Sequence, residues 1–313
     1  MEIISGLGNF NKSYPNTVLT IGNFDGIHLG HQKILSMVMQ EARARKGTPM
    51  VMTFDPHPMK VLAPERDVRL LITFEEKVRL MKSAGIRVLL SIPFTKEFAN
   101  MLPDQFITEV LANKIRAKAI IIGSQYAFGK NKRGTIDLLR RRGGKYGFTV
   151  HAVRHAKVHG HIVSSSSIRT LLMKGAVKEV SLFLGRAYSI EGKVIRGKGR
   201  GQKMLHIPTA NITTPVEISP KEGVYAVRIG WKENIFNGVA NIGKNPTFGN
   251  ADVSYEVHIF NFTGNLLGEN LRIYFMDRIR NEQTFPDTES LEKQIREDMK
   301  QAGAILNTLH MDR

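Results

Sequence analysis

The chain has no cysteine among its 313 residues, and this absence removes several kinds of chemistry. Disulfides, thiol nucleophiles and cysteine-ligated zinc are excluded. The sequence also lacks a low-complexity tract, a repeat of fixed period and an apolar run long enough to cross a bilayer. Residues 1–10 show no basic segment followed by an apolar one, so no secretory signal is expected there. We therefore expect a cytoplasmic protein with no membrane partner.

Acidic residues are scarce relative to basic ones. The chain carries 28 Asp and Glu against 45 Lys and Arg, which gives a net charge of +17. A surface of this kind attracts polyanions, so nucleic acid is one candidate partner. The same balance suits an enzyme whose substrates are nucleotides and phosphate esters. Charge alone leaves both possibilities open.

The first half of the chain alternates between short β-branched runs and amphipathic stretches. This pattern predicts an α/β domain, a doubly wound parallel sheet covered by helices. In such sheets ligands bind beyond the carboxyl ends of the strands. Strands are predicted at 17–21, 50–54, 87–92, 119–122 and 149–153, and helices at 30–45, 75–83, 103–113 and 135–145.

The second half consists of strand-like pieces separated by Gly, Pro and Asn turns, and only its tail has helical periodicity. The pattern predicts a small antiparallel β-barrel with a terminal helix. We place the domains at 1–184 and 185–313. Strands are predicted at 188–195, 209–212, 223–229, 236–242, 255–260 and 271–275, and the terminal helix at 288–302.

A ten-residue string from Gly22 to His31 follows the first predicted strand and opens a helix. Its two histidines, His28 and His31, are three residues apart at the helix N-terminus, so they face the same way. Backbone N–H groups and the positive helix end favour a phosphate there. Imidazoles can donate hydrogen bonds to phosphate oxygens as charge develops. Glycines such as Gly30 let a nucleotide approach the chain closely. The string predicts a nucleotide site.

A serine-rich string follows the last predicted strand of the sheet. Ser164, Ser165 and Ser166 precede a second helix, and Arg169 lies one turn further on. Hydroxyls and amides at a helix start can bind phosphate oxygens, which an arginine can brace. Serine runs are also common N-caps. The serine string alone is weak evidence for a phosphate site, and it becomes strong evidence in combination with the string from Gly22 to His31.

Together the two strings resemble the HxGH-type nucleotidyltransferases, which carry a Ser-Ser-Thr-x-Ile-Arg string. The segment 53–58, Thr-Phe-Asp-Pro-His-Pro, resembles the flavin-specific branch, as do several strings of the second half. The chain thus resembles the bacterial bifunctional riboflavin kinase/FAD synthetase family over nearly its whole length. The second-half strings are 184–188, 208–211, 223–226, 241–243, 246–248 and 256–258.

The resemblance implies that the first module transfers AMP from ATP to FMN, giving FAD and pyrophosphate, with Mg²⁺ as cofactor. His28, His31 and Arg169 match positions that steady the ATP phosphates. The other implied ATP-binding residues are Gly22, Asn23, Phe24, Asp25, Gly30, Ser164, Ser165 and Ser166. The implied flavin-binding residues are Asp55, Pro56, Pro58, Gln125 and Phe128. At Gln125 the family usually has an acid, and we expect this difference to tune activity rather than abolish it.

The family's second module phosphorylates riboflavin to FMN. Glu256 matches its base, while Thr209 and Asn211 match its ligands for ATP and the metal. The nearby stretch 201–207 departs from the family's glycine-rich loop. Three further departures are Asn261 and Asn265, where the family tends to have aspartate, and Leu267, where it tends to have tyrosine. We hypothesise that the kinase is weak or inactive.

Several alternatives stay open. The chain could be fully bifunctional, or it could be a basic nucleic-acid-binding protein that uses a nucleotidyltransferase fold. The string 28–31 also occurs in class I aminoacyl-tRNA synthetases and in pantetheine or nicotinamide nucleotide adenylyltransferases. The lysine-rich loop that the synthetases usually carry is missing from this chain. The pantetheine and nicotinamide nucleotide adenylyltransferases do not share its second half. On these motifs we expect ATP, FMN and riboflavin as ligands and no nucleic acid. A metal site is not expected at His151, His155, His159 and His161, which have no carboxylate among them.

Overall fold

The computed structural model describes residues 1–196, 209–245 and 252–308. Contacts between residues divide the chain into two compact units, Met1–Ser164 and Ser165–Arg313. Each unit encloses a hydrophobic core of its own.

The first unit alternates strands and helices as the sequence predicts. Its strands are β1 Glu2–Ser5, β2 Val18–Ile21, β3 Pro49–Asp55, β4 Val88–Pro93, β5 Ala119–Gly123 and β6 Thr149–Val153, with a small hairpin of β7 Lys157–Val158 and β8 His161–Ile162. Its helices are α1 Leu29–Ala44, α2 Pro58–Leu62, α3 Phe74–Ser83, α4 Lys96–Ala99, α5 Pro103–Gln105, which continues as a π-helix over Phe106–Lys114, and α6 Ile136–Tyr146. Single 3₁₀ turns occur at Pro64–Arg66 and Lys130–Lys132.

Six parallel strands form one sheet in the order β1-β4-β3-β2-β5-β6. From β2 the chain winds outward through β3 to β4, and it then crosses back over β2 to pair β5 with it. The strand order therefore reverses beside β2, and the crevice beyond its carboxyl end is where an open α/β sheet binds ligands. All four residues of β2 are buried, as a central strand covered on both faces requires.

The predicted α/β fold of the first unit is confirmed, although strand β1, the short helices α2 and α4 and the β7–β8 hairpin were not predicted and one predicted helix differs in type. Strand β1 was missed because it has only four residues, three of them exposed, and it pairs in parallel with the distant β4. The helix predicted at 103–113 has its expected position, but over Phe106–Lys114 it is a π-helix. The wider turn buries Phe106, Ile107, Val110 and Leu111 together against the sheet.

The second unit begins with two helices and continues as a barrel. The helices are α7 Ser165–Lys174 and α8 Val177–Leu184, and the chain ends in α9 Thr288–Thr308. The barrel strands are β9 Tyr188–Ile195, β10 Ala210–Thr213, β11 Gly223–Trp231, β12 Asn234–Asn245, β13 Asp252–Ile259 and β14 Asn270–Arg280. They close in the order β10-β13-β12-β11-β14-β9, with every pair antiparallel. The predicted barrel and terminal helix are confirmed.

Helix α9 is held on the barrel by apolar packing and by one buried ion pair. Ala302 and Leu306 pack in a cluster with Val224, Ala226 and Val239 of the barrel wall. Asp298, one turn before Ala302 in the helix, is only 3% exposed. Nε and Nη2 of Arg280 on β14 each donate to this carboxylate at 2.8 Å. Gln294 donates a further hydrogen bond to Asp298 Oδ1 at 2.9 Å.

Replacing Asp298 by alanine leaves the Arg280 guanidinium, 16% exposed, without its carboxylate. We expect the free energy of unfolding of the second unit to fall by about 3 kcal/mol, because breaking a buried pair leaves an uncompensated charge. The only tryptophan of the chain, Trp231, lies at the end of β11, so its fluorescence during a urea titration measures barrel unfolding.

The matched control is Glu292→Ala, which removes an exposed ion pair with Arg296 on the same helix. Exposed pairs contribute little, so its cost should stay below about 1 kcal/mol. Equal losses for the two variants would mean that the buried pair is not what fastens α9.

Candidate active site

The loop between β2 and α1 is buried although it carries the predicted nucleotide-binding residues. Phe24 to His28 are all buried, and the Gly22 N–H donates to the Met52 carbonyl at 3.1 Å. Phe24 (φ 50°), Gly26 (φ 81°) and Ile27 (φ 39°) adopt left-handed conformations. For the two non-glycine residues this costs about 1–3 kcal/mol each, so the surrounding packing must impose the loop's shape. Such strain is typical of functional sites.

Asp25 ties this loop to the segment before α3. The side chain is 3% exposed, and its Oδ1 accepts the Leu71 N–H at 2.9 Å. Leu71 is itself 1% exposed. A buried carboxylate needs such partners, because leaving it unsatisfied would cost several kcal/mol. Asp25 therefore fixes the loop's position rather than only facing a ligand.

His28 and His31 are brought together as the sequence predicts. His28 caps α1, and its Nδ1 accepts the His31 N–H at 3.4 Å. The two rings stack with centroids 3.7 Å apart and planes inclined by 16°. Gly30 lies against this pair, since a Cβ on it would come within 3.1 Å of His28 Cε1. The glycine is thus required by the histidine's position.

The pKa of His31 lies well below the ordinary value of 6.5. Burial of the ring is the main cause, and the neighbouring charges of His28 and Lys77 act in the same direction. Its Nδ1 is buried without a hydrogen-bond partner among the described residues. His31 is therefore a neutral imidazole at physiological pH, with polar capacity available to a ligand.

Lys77 is a site residue that the sequence analysis missed. It lies on α3, is 8% exposed and, with Met81 one turn later, forms the buried stripe of the helix. Burial lowers the pKa of its ammonium group, and the charges of Asp25 and Asp55 oppose that shift. Lys77 thus lies among the predicted residues. A lysine at a core position of an amphipathic helix was the available signal.

The segment 53–58, which resembles the flavin-specific branch, spans the end of β3 and contacts the loop between β2 and α1. Nε2 of His57 lies 3.0 Å from the Asn23 side-chain amide, and its Nδ1 accepts the Met59 N–H at 3.2 Å. Thr53 Oγ1 donates to the Asn23 carbonyl at 3.3 Å. Asp55 and Pro56 are exposed at the end of β3, and Pro58 begins α2. The structure therefore joins the two strings at one end of the sheet.

Aromatic rings form a continuous series on the same unit. Successive ring centroids lie 5.5 to 6.1 Å apart, starting beside Asp55 at Phe54 and ending at Phe128 and Tyr126. Phe94, Phe98 and Phe106 lie between them. Only Phe128 of this series was predicted as a site residue. Its predicted neighbour Gln125 is exposed.

The serine string falls at the junction of the two units. Ser164 is the last residue of the first unit, and α7 of the second unit begins at Ser165, so Ser165 and Ser166 belong to the helix that they were expected to precede. Ser166 is exposed, whereas Ser165 and Arg169 are half-buried. The phosphate-binding role of this string stays a prediction.

In the second unit, three polar side chains line up across neighbouring strands. Asn211 on β10 lies in register with Glu256 on β13, which lies in register with Asn241 on β12. Their strand neighbours Tyr255, Val257 and Ile242 are buried. Because strand side chains alternate, the polar row lies on the outer face of the barrel wall. Thr209, just before β10, is exposed, and the divergent stretch 201–207 lies outside the described residues.

Two other features bear on earlier expectations. Within the ranges that the structure describes, no group of three His, Asp or Glu residues could hold a metal ion, and no helix is both long and apolar enough to span a membrane. His151 lies 4.0 Å from Glu41, and His155 Nε2 is buried without a partner among those residues.

His31 should stay neutral at pH values somewhat below 6.5, where a histidine with the ordinary pKa is charged. In a ¹H–¹³C NMR titration from pH 8 to 5.5, we expect no His31 titration in the wild-type protein. Lys77→Met should raise the pKa of His31, because one of the charges that lowers it is lost. Since the unfolded chain protonates His31 near pH 6.5 and the folded chain does not, this residue makes the free energy of unfolding decrease as pH falls below 6.5. A His31 signal that titrates at 6.5 in the wild type would contradict this prediction.

Each half of the chain matches a known protein family. Residues 10–167 match the model of the FAD synthetase family, and residues 184–306 match that of the riboflavin kinase family. Relatives named bifunctional riboflavin kinase/FMN adenylyltransferase include one from Buchnera aphidicola, 37% identical, which covers 96% of both chains. One from Haemophilus influenzae is 35% identical over 98% of this chain and all of its own, and one from Escherichia coli is 33% identical over 95% and 96%.

A solved structure from Streptococcus pneumoniae has the same fold. This structure, named a macrolide-efflux protein, matches with a TM-score of 0.86 and 29% identity and covers 95% of this chain and 97% of its own. The two family models and the near full-length relatives agree with each other and with the two units described above. This chain belongs to the bifunctional riboflavin kinase/FMN adenylyltransferase family.

Proposed function

We propose that this protein transfers AMP from ATP to FMN, forming FAD and releasing pyrophosphate. The observation that carries the proposal is the stacked pair of buried His28 and half-buried His31 at the N-terminus of α1, beside the point where the strand order reverses. A helix N-terminus at this position favours a phosphate group. The family membership of residues 10–167 supports the same reaction.

The reaction needs positioning more than it needs a base. An oxygen of the FMN phosphate forms a bond to the α-phosphorus of ATP, and the bond from that phosphorus to its bridging oxygen breaks. Pyrophosphate leaves with the electron pair. A phosphate monoester has a second pKa near ~6, so FMN is already an anionic nucleophile at neutral pH. The protein must align the two phosphates and balance the charge that moves to the leaving group.

The residues of the loop suit these tasks. A neutral His31 donates a hydrogen bond through its N–H, and His28 stacks beside it. The buried ammonium of Lys77 adds positive charge close to this pair. Gly22, Asn23, Phe24 and Asp25 would shape the ATP side of the crevice. Fixed donors in a poorly hydrated site stabilise developing charge without reorganising.

For the flavin, we propose that the aromatic series ending at Phe128 forms one wall of the ring site. Flat aromatic surfaces pack well against a flat polycyclic ligand. Asp55, Pro56 and Pro58 would line the opposite part, and Gln125 would offer a hydrogen bond where the family usually has an acid. This placement puts the flavin next to Asn23 through the contact of Asn23 with His57.

Mg²⁺ fits the donors of the second unit. Thr209 and Asn211 offer hard oxygen ligands, and the proposed base Glu256 lies in register beside Asn211. Mg²⁺ is commonly held by one or two protein oxygens together with substrate phosphates. When bound, the ion would neutralise part of the triphosphate charge, while Glu256 would accept the proton of the riboflavin hydroxyl.

We further propose that this second, riboflavin kinase-like reaction is weak or absent. The support is the sequence of stretch 201–207, where His206 replaces a glycine of the family's nucleotide loop, and Asn261, Asn265 and Leu267 depart as well. Glycine at such a loop permits a fold that other residues resist. Full bifunctionality is the alternative, and the presence of Thr209, Asn211 and Glu256 favours it. We place the boundary between the two modules near residue 184.

The direct test incubates the protein with ATP and Mg²⁺, with FMN in one reaction and riboflavin in another, and separates the flavins by chromatography. We expect FAD from FMN and little or no FMN from riboflavin. Riboflavin turnover at a rate comparable with FAD synthesis would refute the weak kinase. No FAD from FMN would refute the adenylyltransferase itself.

Gly30→Ala tests the histidine pair without removing a polar group. The new Cβ would approach His28 Cε1 to 3.1 Å, so the ring must move by a few tenths of an ångström. We expect kcat/KM for FAD synthesis to fall by about tenfold, because small displacements of positioning groups are costly. The control is Gly144→Ala on α6, where nothing lies within 4 Å of the new Cβ, and its activity should not change. Equal activity of the two variants would show that the ring position is not critical.

A further inference from the structure

Positive charge is distributed unevenly within the first unit. Residues 110–164 contain 12 lysines and arginines and a single acidic residue, Asp137. Residues 1–109 contain 13 basic and 11 acidic residues. The shorter segment therefore supplies a net charge of +11 out of the +17 of the whole chain. It forms β5, α6, β6 and the β7–β8 hairpin, at the edge of the sheet opposite β1.

The excess charge lies on the surface. Of those 12 basic residues, 11 are exposed, and Arg142 is half-buried. We use the name basic face for the outward side of α6, with Arg140, Arg141 and Lys145, together with Arg116 and Lys118 before β5. Arg140 pairs with Asp137 at 3.4 Å. Arg116, Lys118, Arg141 and Lys145 make no ion pair with any residue that the structure describes.

A cavity of about 450 Å³ opens on this face. Arg116, Lys118, Asn113 and Tyr146 line it, and the Tyr146 hydroxyl is hydrogen-bonded to that of Thr108 at 3.0 Å. Lys118 directly precedes β5, so the cavity lies at the amino end of that strand. The candidate active site lies at the carboxyl ends of the strands. The basic face is therefore not needed to hold ATP or FMN.

Helix α6 contains two consecutive glycines, and its packing requires only the first of them. Gly143 has no room for a side chain, because a Cβ would come within 2.5 Å of the Phe148 carbonyl oxygen. Gly144, by contrast, is exposed and has nothing within 4 Å of the position of a Cβ. Glycine is less favourable than alanine inside a helix. Gly144 lies on the same helix as Arg140, Arg141 and Lys145 and exposes backbone there that a partner could approach closely.

We infer that the basic face docks onto the phosphate backbone of a double-stranded nucleic acid without reading its base sequence. Unpaired cations on one ridge are the feature that such backbones select. The aromatic residues of segment 110–164, Tyr126, Phe128, Tyr146 and Phe148, are buried or half-buried, so no platform for stacking unpaired bases is present. The motifs gave no reason to expect nucleic acid, whereas the placement of charge does.

The test measures binding of fluorescein-labelled 24-base-pair RNA and DNA duplexes of scrambled sequence by anisotropy between 50 and 300 mM KCl. The double variant Arg141→Gln/Lys145→Gln removes two exposed cations that form no ion pair within the described part of the chain. We expect its Kd to rise about tenfold and the slope of log Kd against log salt to decrease by about two, one for each lost phosphate contact. FAD synthesis should be unchanged, which shows that the variant is folded.

The matched control, Lys82→Gln/Arg87→Gln, removes the same charge from exposed positions on the opposite half of the sheet. Its Kd should change less than twofold. Equal weakening in both double variants would overturn the inference, because binding would then depend on net charge alone. No duplex binding by the wild type at 150 mM KCl would also overturn it, as would binding only to vesicles containing anionic lipid.

Gly144→Ala distinguishes close approach from long-range attraction. The substitution should raise Tm by about 2–4 °C through the helix propensity of alanine. It should also weaken duplex binding about threefold, because the new methyl group occupies the bare backbone. A rise in Tm with unchanged binding would refute direct docking on α6.

Discussion

The buried loop between β2 and α1 is the constraint on which the first unit's site depends. Because Phe24 to His28 are enclosed, each polar group among them needs a partner inside the protein. Asp25 finds one in the Leu71 N–H, and this single bond links the loop to the segment that leads into α3. Helix α3 carries Lys77, whose charge contributes to the low pKa of His31. The histidine pair, its low pKa and the nearby ammonium group are consequences of one enclosed turn.

Much of this arrangement could be predicted, and the missing parts share a physical reason. Strand and helix positions follow from local periodicity, so β2 to β6, α1 and the six barrel strands were located within a few residues. The strings at 22–31 and 53–58 were found because their chemistry is contiguous. Lys77 reaches the candidate site, and Phe94, Phe98 and Phe106 reach the aromatic series, from separate elements that only tertiary packing brings together. Strand β1 was missed because its pairing partner β4 is more than 80 residues away.

The two units place polar residues by different rules. In the parallel sheet the central strands are mostly apolar, and the predicted polar site residues lie at or just after the strand ends, as with Asn23 and Asp55. In the barrel the strands alternate, and Asn211, Glu256 and Asn241 occupy outward positions within the strands themselves. The first kind of site depends on a loop conformation that the surrounding packing imposes, as at Phe24 and Ile27. The second is rigid in register, since a shift of one residue would turn the whole row toward the core.

The charge of the first unit also affects how the protein behaves beside copies of itself. The barrel is closed and offers no free strand edge, but the parallel sheet ends at β6, whose outer edge could pair with another strand. Arg154 follows this strand directly, Lys157 lies just beyond it, and α6 carries its arginines alongside. Two molecules that approached through this edge would meet with like charge on both sides. The same cations would hinder pairing of the β6 edge with another copy at the high protein concentrations of a cell. This repulsion would weaken as salt screens the charges.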